Sequence, residues 1–394
     1  MVDFPTFGNP TIPQFRGMIQ TIPFLYLLEH ARAIAAMSRS RCLTHPIPIM
    51  QIGIDSFVET PLGSGRAPGE LGAERVHQLL EEIELADRSG VDVYGIGEHH
   101  REEYIASSPS VLLAAAAART EKIHLTSAVT VLSSDDPVRV FQDFATLDLI
   151  SNGRAEIIVG RGSFIESYPL FGYDTKFYDE LFAEKLDLLL HLREQTRVEW
   201  EGKHRPSLTG QGVWPRPLQA KLPIRLGAGG TPASFVRAGM LGLPLTVAII
   251  GGEPHRFRPL VDLYREAGKR AGHTPESLDV AVHGIGFLAD TTQEAADILW
   301  PAYSTTFTRI GRERGWPPST RAAFDAQRSE DGAFFVGDPD TVARKMRKVS
   351  DALGGISRIT LMMSGGPLPH AQMLHAIELL GTRVGPLVHP TERS

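Results

Sequence analysis

Beyond residue 49 the chain alternates short apolar runs with segments whose apolar residues recur every three to four positions. The runs are Met50–Asp55, Val93–Ile96, Ile123–Val131, Ala155–Gly160, Pro223–Gly227, Leu245–Ile250, Val280–Leu288 and Arg358–Met363. Between the first two, Val76, Leu79, Leu80 and Ile83 stand at i, i+3, i+4 and i+7, which predicts a helix with one apolar face. Ser108-Pro109, Asp136-Pro137, Thr231-Pro232 and Asp338-Pro339 each place a capping side chain before a proline, the signature of a helix start. Strand candidates that are each followed by helix point to a parallel sheet with right-handed crossovers. An open doubly wound sheet is the alternative, but eight units favour closure into a single (β/α)8 barrel. Residues 196–222 and 290–336 exceed what a barrel needs and read as insertions after strands 4 and 7.

Residues 1–49 carry no such period. They hold scattered prolines and the only cysteine, Cys42. The apolar run Ile22 to Leu28 is broken at Glu29, His30 and Arg32, without a small-residue cleavage site after it, which argues against an export signal. It is also far shorter than the ~20 residues that span a bilayer. We expect 1–49 to be an extension outside the fold, or sequence translated upstream of a native start at Met50. Residues 50–390 are expected to form one barrel domain.

Composition narrows the class. Of 394 residues, 42% are hydrophobic and 22% charged, as in soluble globular chains. Lys plus Arg number 40 against 46 for Asp plus Glu, so no basic footprint suggests nucleic acid. A single cysteine can neither close an intramolecular disulfide nor build a cysteine metal cage. The cytoplasm is the expected compartment.

In a barrel, polar residues at the carboxyl ends of strands are the functional candidates. The second run ends in Gly97-Glu98-His99-His100, three ionisable residues directly after an apolar strand. They suit acid–base or ligand contact, or a solvated loop. A shared metal is disfavoured, because in extended backbone Glu98 and His100 face one way and His99 the other. After the fourth run comes Gly160-Arg161-Gly162, where a guanidinium could fork onto a phosphate or make a structural ion pair. The fifth run leads into Gly229-Gly230-Thr231-Pro232-Ala233-Ser234 and a helix, whose first N–H groups attract anions. It is neither a Walker A loop nor a G-x-G-x-x-G fingerprint. With Arg161 it makes a candidate clamp for one phosphate monoester.

These residues, in this order, resemble the bacterial luciferase-like family of flavin-dependent monooxygenases and oxidoreductases. The likeness runs from Met50 to Pro390 through Gly97-Glu98-His99-His100, Thr126 to Leu132, Pro137-Val138-Arg139, Leu147 to Arg154, Gly160-Arg161-Gly162, Gly229-Gly230-Thr231-Pro232 and Phe335 to Pro339. It implies FMN across the carboxyl ends of the strands, with His99 as the active-site histidine. It also implies a cis peptide at Ala128–Val129 packing with Ser127 against the flavin ring, and phosphate held by Arg161, Gly229, Gly230, Thr231 and Ser234. Glu98, His100 and Tyr168 are expected in the substrate pocket.

The implied activity is a two-component monooxygenase on a small organic substrate. A separate reductase supplies reduced FMN, His99 transfers a proton with a pKa near the working pH, and the chain is a homodimer. Hydride transfer with the deazaflavin F420 is the alternative, and a non-catalytic flavin-binding protein is another. Gly160 stands where the luciferase subunit has a reactive cysteine, so light emission from an aldehyde is not implied.

Overall fold

The computed structural model describes residues 50–388. The expected extension over 1–49, Cys42 included, and the last residues of the expected 50–390 unit lie outside the described residues.

The barrel strands are β1 Gln51–Ser56, β2 Val93–Ile96, β3 His124–Ser127, β4 Ala155–Gly160, β5 Ile224–Ala228, β6 Leu245–Ala248, β7 Val280–Leu288 and β8 Arg358–Met362. Each pairs in parallel with the next, and β8 returns to β1, so eight strands close into a ring. The wall helices are α1 Pro68–Ser89, α2 Pro109–Ala117, α3 Pro137–Ile150, α4 Tyr178–Glu194, α5 Pro232–Met240, α6 Arg258–Arg270, α7 Pro339–Leu353 and α8 His370–Leu379. In α1 the predicted apolar face is the buried one, with Leu79, Leu80 and Ile83 against the strands. Proline opens α2, α3, α5 and α7 as the dipeptides predict. Asp136 and Asp338 cap their helices, whereas Ser108 and Thr231 do not.

Two segments add to the plan. Between α4 and β5 an antiparallel hairpin pairs Arg197–Trp200 with Leu208–Gly212. Between β7 and α7 come a helix Thr292–Arg314, a short helix Arg321–Gln327 and a strand Phe335–Gly337 that pairs with the upper part of β7.

The lower barrel is polar inside. β4 and β8 are on opposite walls, yet Arg358 Nη1 and Glu156 Oε1 meet at 2.6 Å, an ion pair across the lumen. The expected third strand, Ile123–Val131, is broken: β3 stops at Ser127 and pairing with β4 resumes at Thr130–Val131. The Ala128–Val129 peptide in this gap is cis.

Candidate functional site

The break in β3 sets up the barrel mouth. Where the ladder is interrupted, Ser127 Oγ donates to the Ile158 carbonyl at 3.0 Å and accepts the Ile158 N–H at 3.1 Å. The Ser127 hydroxyl therefore stands in for missing backbone bonds between β3 and β4. Val129 turns its side chain toward β4 and β5. A Cβ on Gly160 would lie 2.6 Å from Val129 Cγ2, and one on Gly227 3.0 Å from Val129 Cγ1. Glycines here leave room for the bulge.

His99 leaves the end of β2 into an aromatic box. Its ring meets Phe57 edge-on at 4.5 Å between centroids, Tyr104 at 4.6 Å and Phe164 at 5.0 Å. The ring is buried and its Nε2 has no hydrogen-bond partner. Burial first, then the positive field of His100, Arg101 and Arg314, pushes its pKa down to about 3. Burial thus favours the neutral imidazole, against the pKa near the working pH expected from the sequence.

Glu98 and His100 do face away from His99 together. Glu98 Oε1 bonds His100 Nε2 at 2.8 Å, and Oε2 accepts the Val131 N–H at 2.8 Å. One carboxylate oxygen thus braces the segment after the cis peptide, and the other holds His100. His100 lines an open depression of about 480 Å³ with His99, Tyr104, Ser108 and Phe171. Tyr168 is fully buried and its hydroxyl donates to the Arg161 carbonyl at 3.2 Å. It braces the loop after β4.

That loop also carries the clamp. Arg161 Nη2 reaches Thr231 Oγ1 and Ser234 Oγ, each at 3.3 Å, while Nη1 pairs with Asp179 Oδ1 at 2.7 Å. The Thr231 hydroxyl points at the guanidinium, which is why it does not cap α5. Gly229 has open space around its α-carbon, and Gly230 sits at φ +132°, so the backbone before α5 is free of side chains. A cation, two hydroxyls and a helix N-terminus converge here, as the phosphate reading expects. Three residues on, Phe164 forms part of the His99 box.

The helix Thr292–Arg314 reaches over this loop. Glu313 forks onto Arg101 at 2.7 and 2.9 Å, and Arg314 donates to the Ser163 carbonyl at 2.8 Å. Arg101 also holds Glu103 and Glu166. Chain added after β7 is in this way latched to the loops after β2 and β4, beside His99.

One cluster was missed by sequence reasoning. Asp55 on β1, His283 on β7 and Thr360 on β8 form a buried polar group inside the barrel. The signal was present as a lone histidine in the otherwise apolar run Val280–Leu288. Among the described residues no group of three or more His, Cys, Asp or Glu is arranged to hold a metal ion. None of the helices among them is long and apolar enough to cross a membrane.

Comparison with known proteins gives a consistent picture. The model of a family described as luciferase-like monooxygenase matches residues 50–355. The chain is 27% identical over 315 residues to 4-hydroxyprotoasukamycin monooxygenase of Streptomyces nodosus subsp. asukaensis, covering 73% of this chain and 81% of the relative. Among solved structures it resembles the monooxygenase RslO1 of Streptomyces bottropensis, with TM-score 0.73, 25% identity and coverage of 86% and 99%. It also resembles the oxygenating constituent of 3,6-diketocamphane monooxygenase from Pseudomonas putida, solved with FMN (TM-score 0.68, 21% identity, coverage 86% and 98%). The coenzyme F420 dependent tetrahydromethanopterin reductase of Methanopyrus kandleri shares the fold (TM-score 0.64, 22% identity, coverage 86% and 99%).

Proposed function

Because the chain belongs to the luciferase-like monooxygenase family, we propose that it is the oxygenating component of a two-component monooxygenase, using reduced FMN and oxygen on a small organic substrate. The observation that carries this reading is the convergence of Arg161, Thr231 and Ser234 at the start of α5. A terminal phosphate monoester carries up to two charges and suits a guanidinium fork plus a helix N-terminus. Arg161, Thr231, Ser234 and the Gly229–Gly230 backbone would hold that phosphate. The cis segment Ala128–Val129, with the Val129 side chain packed over Gly160 and Gly227, offers an apolar wall for a flat ring.

Reduced FMN, when bound, supplies the oxygen chemistry; the protein supplies orientation and dryness. Phe57, Tyr104 and Phe164 pack around the His99 ring. As a neutral imidazole, His99 holds one hydrogen bond at Nε2 to whatever enters the box. The Arg101–Glu313 latch keeps the helix Thr292–Arg314 over the loops that shape it. Supply of reduced FMN by a separate reductase, a homodimeric state, a cytoplasmic location and residues 50–390 as the catalytic unit complete this reading.

F420 is the second reading, supported by the F420-dependent reductase with the same fold. Reconstitution decides between them. Absorbance titration with FMN and with F420 is expected to show micromolar or tighter binding of FMN. Oxygen uptake with reduced FMN is then followed over aldehydes, ketones, alkanes and sulfur compounds. Substrate-dependent uptake supports the monooxygenase; F420 binding without FMN binding replaces it with hydride transfer. Bound flavin without any substrate-dependent turnover marks a flavin-binding protein, and binding of neither cofactor sinks both oxidoreductase readings.

A further inference from the structure

All nine residues of β7 are buried, and one of them, His283, is ionisable. Its Nδ1 lies 2.6 Å from Asp55 Oδ2, on β1, two strands away. Thr360 stands on the intervening β8, in register with His283, and its hydroxyl donates to the same Oδ2. Asp55 is 1% exposed, and its second oxygen, Oδ1, has no partner. Room for that oxygen comes from Gly95, where a Cβ would sit 2.1 Å from Oδ1. Burying a carboxylate with one oxygen unsatisfied is costly, and an apolar residue would pack the position better. The arrangement makes sense if it serves the histidine.

Asp55 Oδ2 accepts from the Thr360 hydroxyl and lies against Nδ1, so the contact places a hydrogen of His283 on Nδ1. Nε2 then carries a free lone pair, and its ring makes no other hydrogen bond. The side chain keeps 11% exposure in a strand whose neighbours are sealed. Phe57 stacks on it at 6.3 Å between centroids, and the same Phe57 meets His99 edge-on. Two imidazoles thus flank one ring at the barrel mouth.

We propose that His283 is a second working imidazole of this site: its Nε2 takes a proton from an O–H or activated C–H of the bound substrate, and Asp55 is the positioning residue that makes it an acceptor. In that step the substrate bond to hydrogen breaks, its electron pair stays on the substrate, and the proton joins Nε2. The Asp55 carboxyl group, in contact with Nδ1, faces the charge that the ring gains. The proposal rests on the reading of the mouth as a flavin or deazaflavin site.

The test uses the full chain labelled with nitrogen-15, with long-range proton–nitrogen spectra of the histidine rings. The His283 signals are assigned by their loss in His283→Gln. If that variant does not fold, the shift caused by Thr360→Val assigns them. The expected result is a protonated Nδ1 and an unprotonated Nε2, loss of this fixed tautomer in Asp55→Asn, and a shift of Nε2 on saturation with FMN or F420. A hydrogen on Nε2, or an Nε2 signal that stays still while absorbance shows the cofactor bound, overturns the proposal. Binding of neither cofactor by absorbance defeats the reading of the mouth and the role of His283 with it, even if the tautomer is as expected.

Discussion

Val129 occupies the space that a side chain on Gly160 would need: Cγ2 stands 2.6 Å from the position of a Cβ there. Val129 is β-branched and stiff at χ1, and the residues that follow it are held by pairing with β4. It cannot yield as the tip of a long side chain would. Gly160→Ala is therefore expected to destabilise the fold by about 1–3 kcal/mol, as overpacking does. A cysteine at this position meets the same obstacle. Thermal or urea denaturation of Gly160→Ala measures the cost, and a variant as stable as the parent would show that the wall is softer than the contact implies.

Removing the Arg161 guanidinium should act on the phosphate and leave the ring alone. Charge-assisted hydrogen bonds contribute about 1.5–3 kcal/mol each in net terms, so Arg161→Ala is expected to weaken FMN roughly 10- to 100-fold. Riboflavin, which lacks the phosphate, should bind both proteins alike. Parallel fluorescence titrations with FMN and riboflavin test this. Equal losses for the two ligands would move Arg161 from phosphate holder to scaffold, with Asp179 as its partner.

Much of this architecture was legible because strands and helices announce themselves by spacing. The clamp was legible too, since Arg161 and the Gly229–Ser234 turn follow adjacent parallel strands and so meet at one rim. What escaped depends on which way a side chain turns. Glu98 and Ser127 look like ligands in sequence, yet each bonds the backbone that the cis peptide leaves unpaired. The run Leu147 to Arg154 carries the family likeness, yet Arg154 donates to the Ile123 and Thr120 carbonyls, and Asp148 holds Gln219. It locks the turn between α3 and β4, at the end of the barrel away from the clamp. Asp55 and His283 are 228 residues apart, and only closure of the ring makes them neighbours.

Glu59 gives a stability signature at the other side of the mouth. Its Oε2 has no partner and faces a cavity of about 230 Å³ shared with Arg75, Glu82, Ser364 and His370. Burial raises its pKa from 4.5 to about 7. The folded state then holds this proton more tightly than the unfolded state. Its stabilising share is complete below pH 4.5 and is lost as pH rises through 7. Glu59→Gln should therefore gain on the parent between pH 4.5 and 7, by about 3 kcal/mol at the plateau. Melting curves at pH 4.5, 6 and 8 check it; a constant difference would show that Glu59 is ionised in the fold throughout.

His99 carries the opposite sign. Its folded pKa of about 3 lies below the ordinary 6.5, so the unfolded state binds the proton more tightly. The stability that a neutral, buried His99 contributes is full above pH 6.5 and is lost as pH falls toward 3. His99→Phe keeps a ring in the box of Phe57, Tyr104 and Phe164 but takes up no proton. Between pH 6.5 and 4 the parent should lose stability more steeply than this variant, by up to one proton's worth of slope. The same shift bears on activity. A neutral His99 does not titrate between pH 5 and 9, so the limbs of a pH–rate profile in that range belong to other groups. His99→Asn is expected to keep FMN binding, to lower turnover on the order of 100-fold, and to leave the inflection points where they are. An inflection near pH 6.5 that disappears in His99→Asn would mean that the ring is protonated in the working enzyme, and the neutral role would have to be given up.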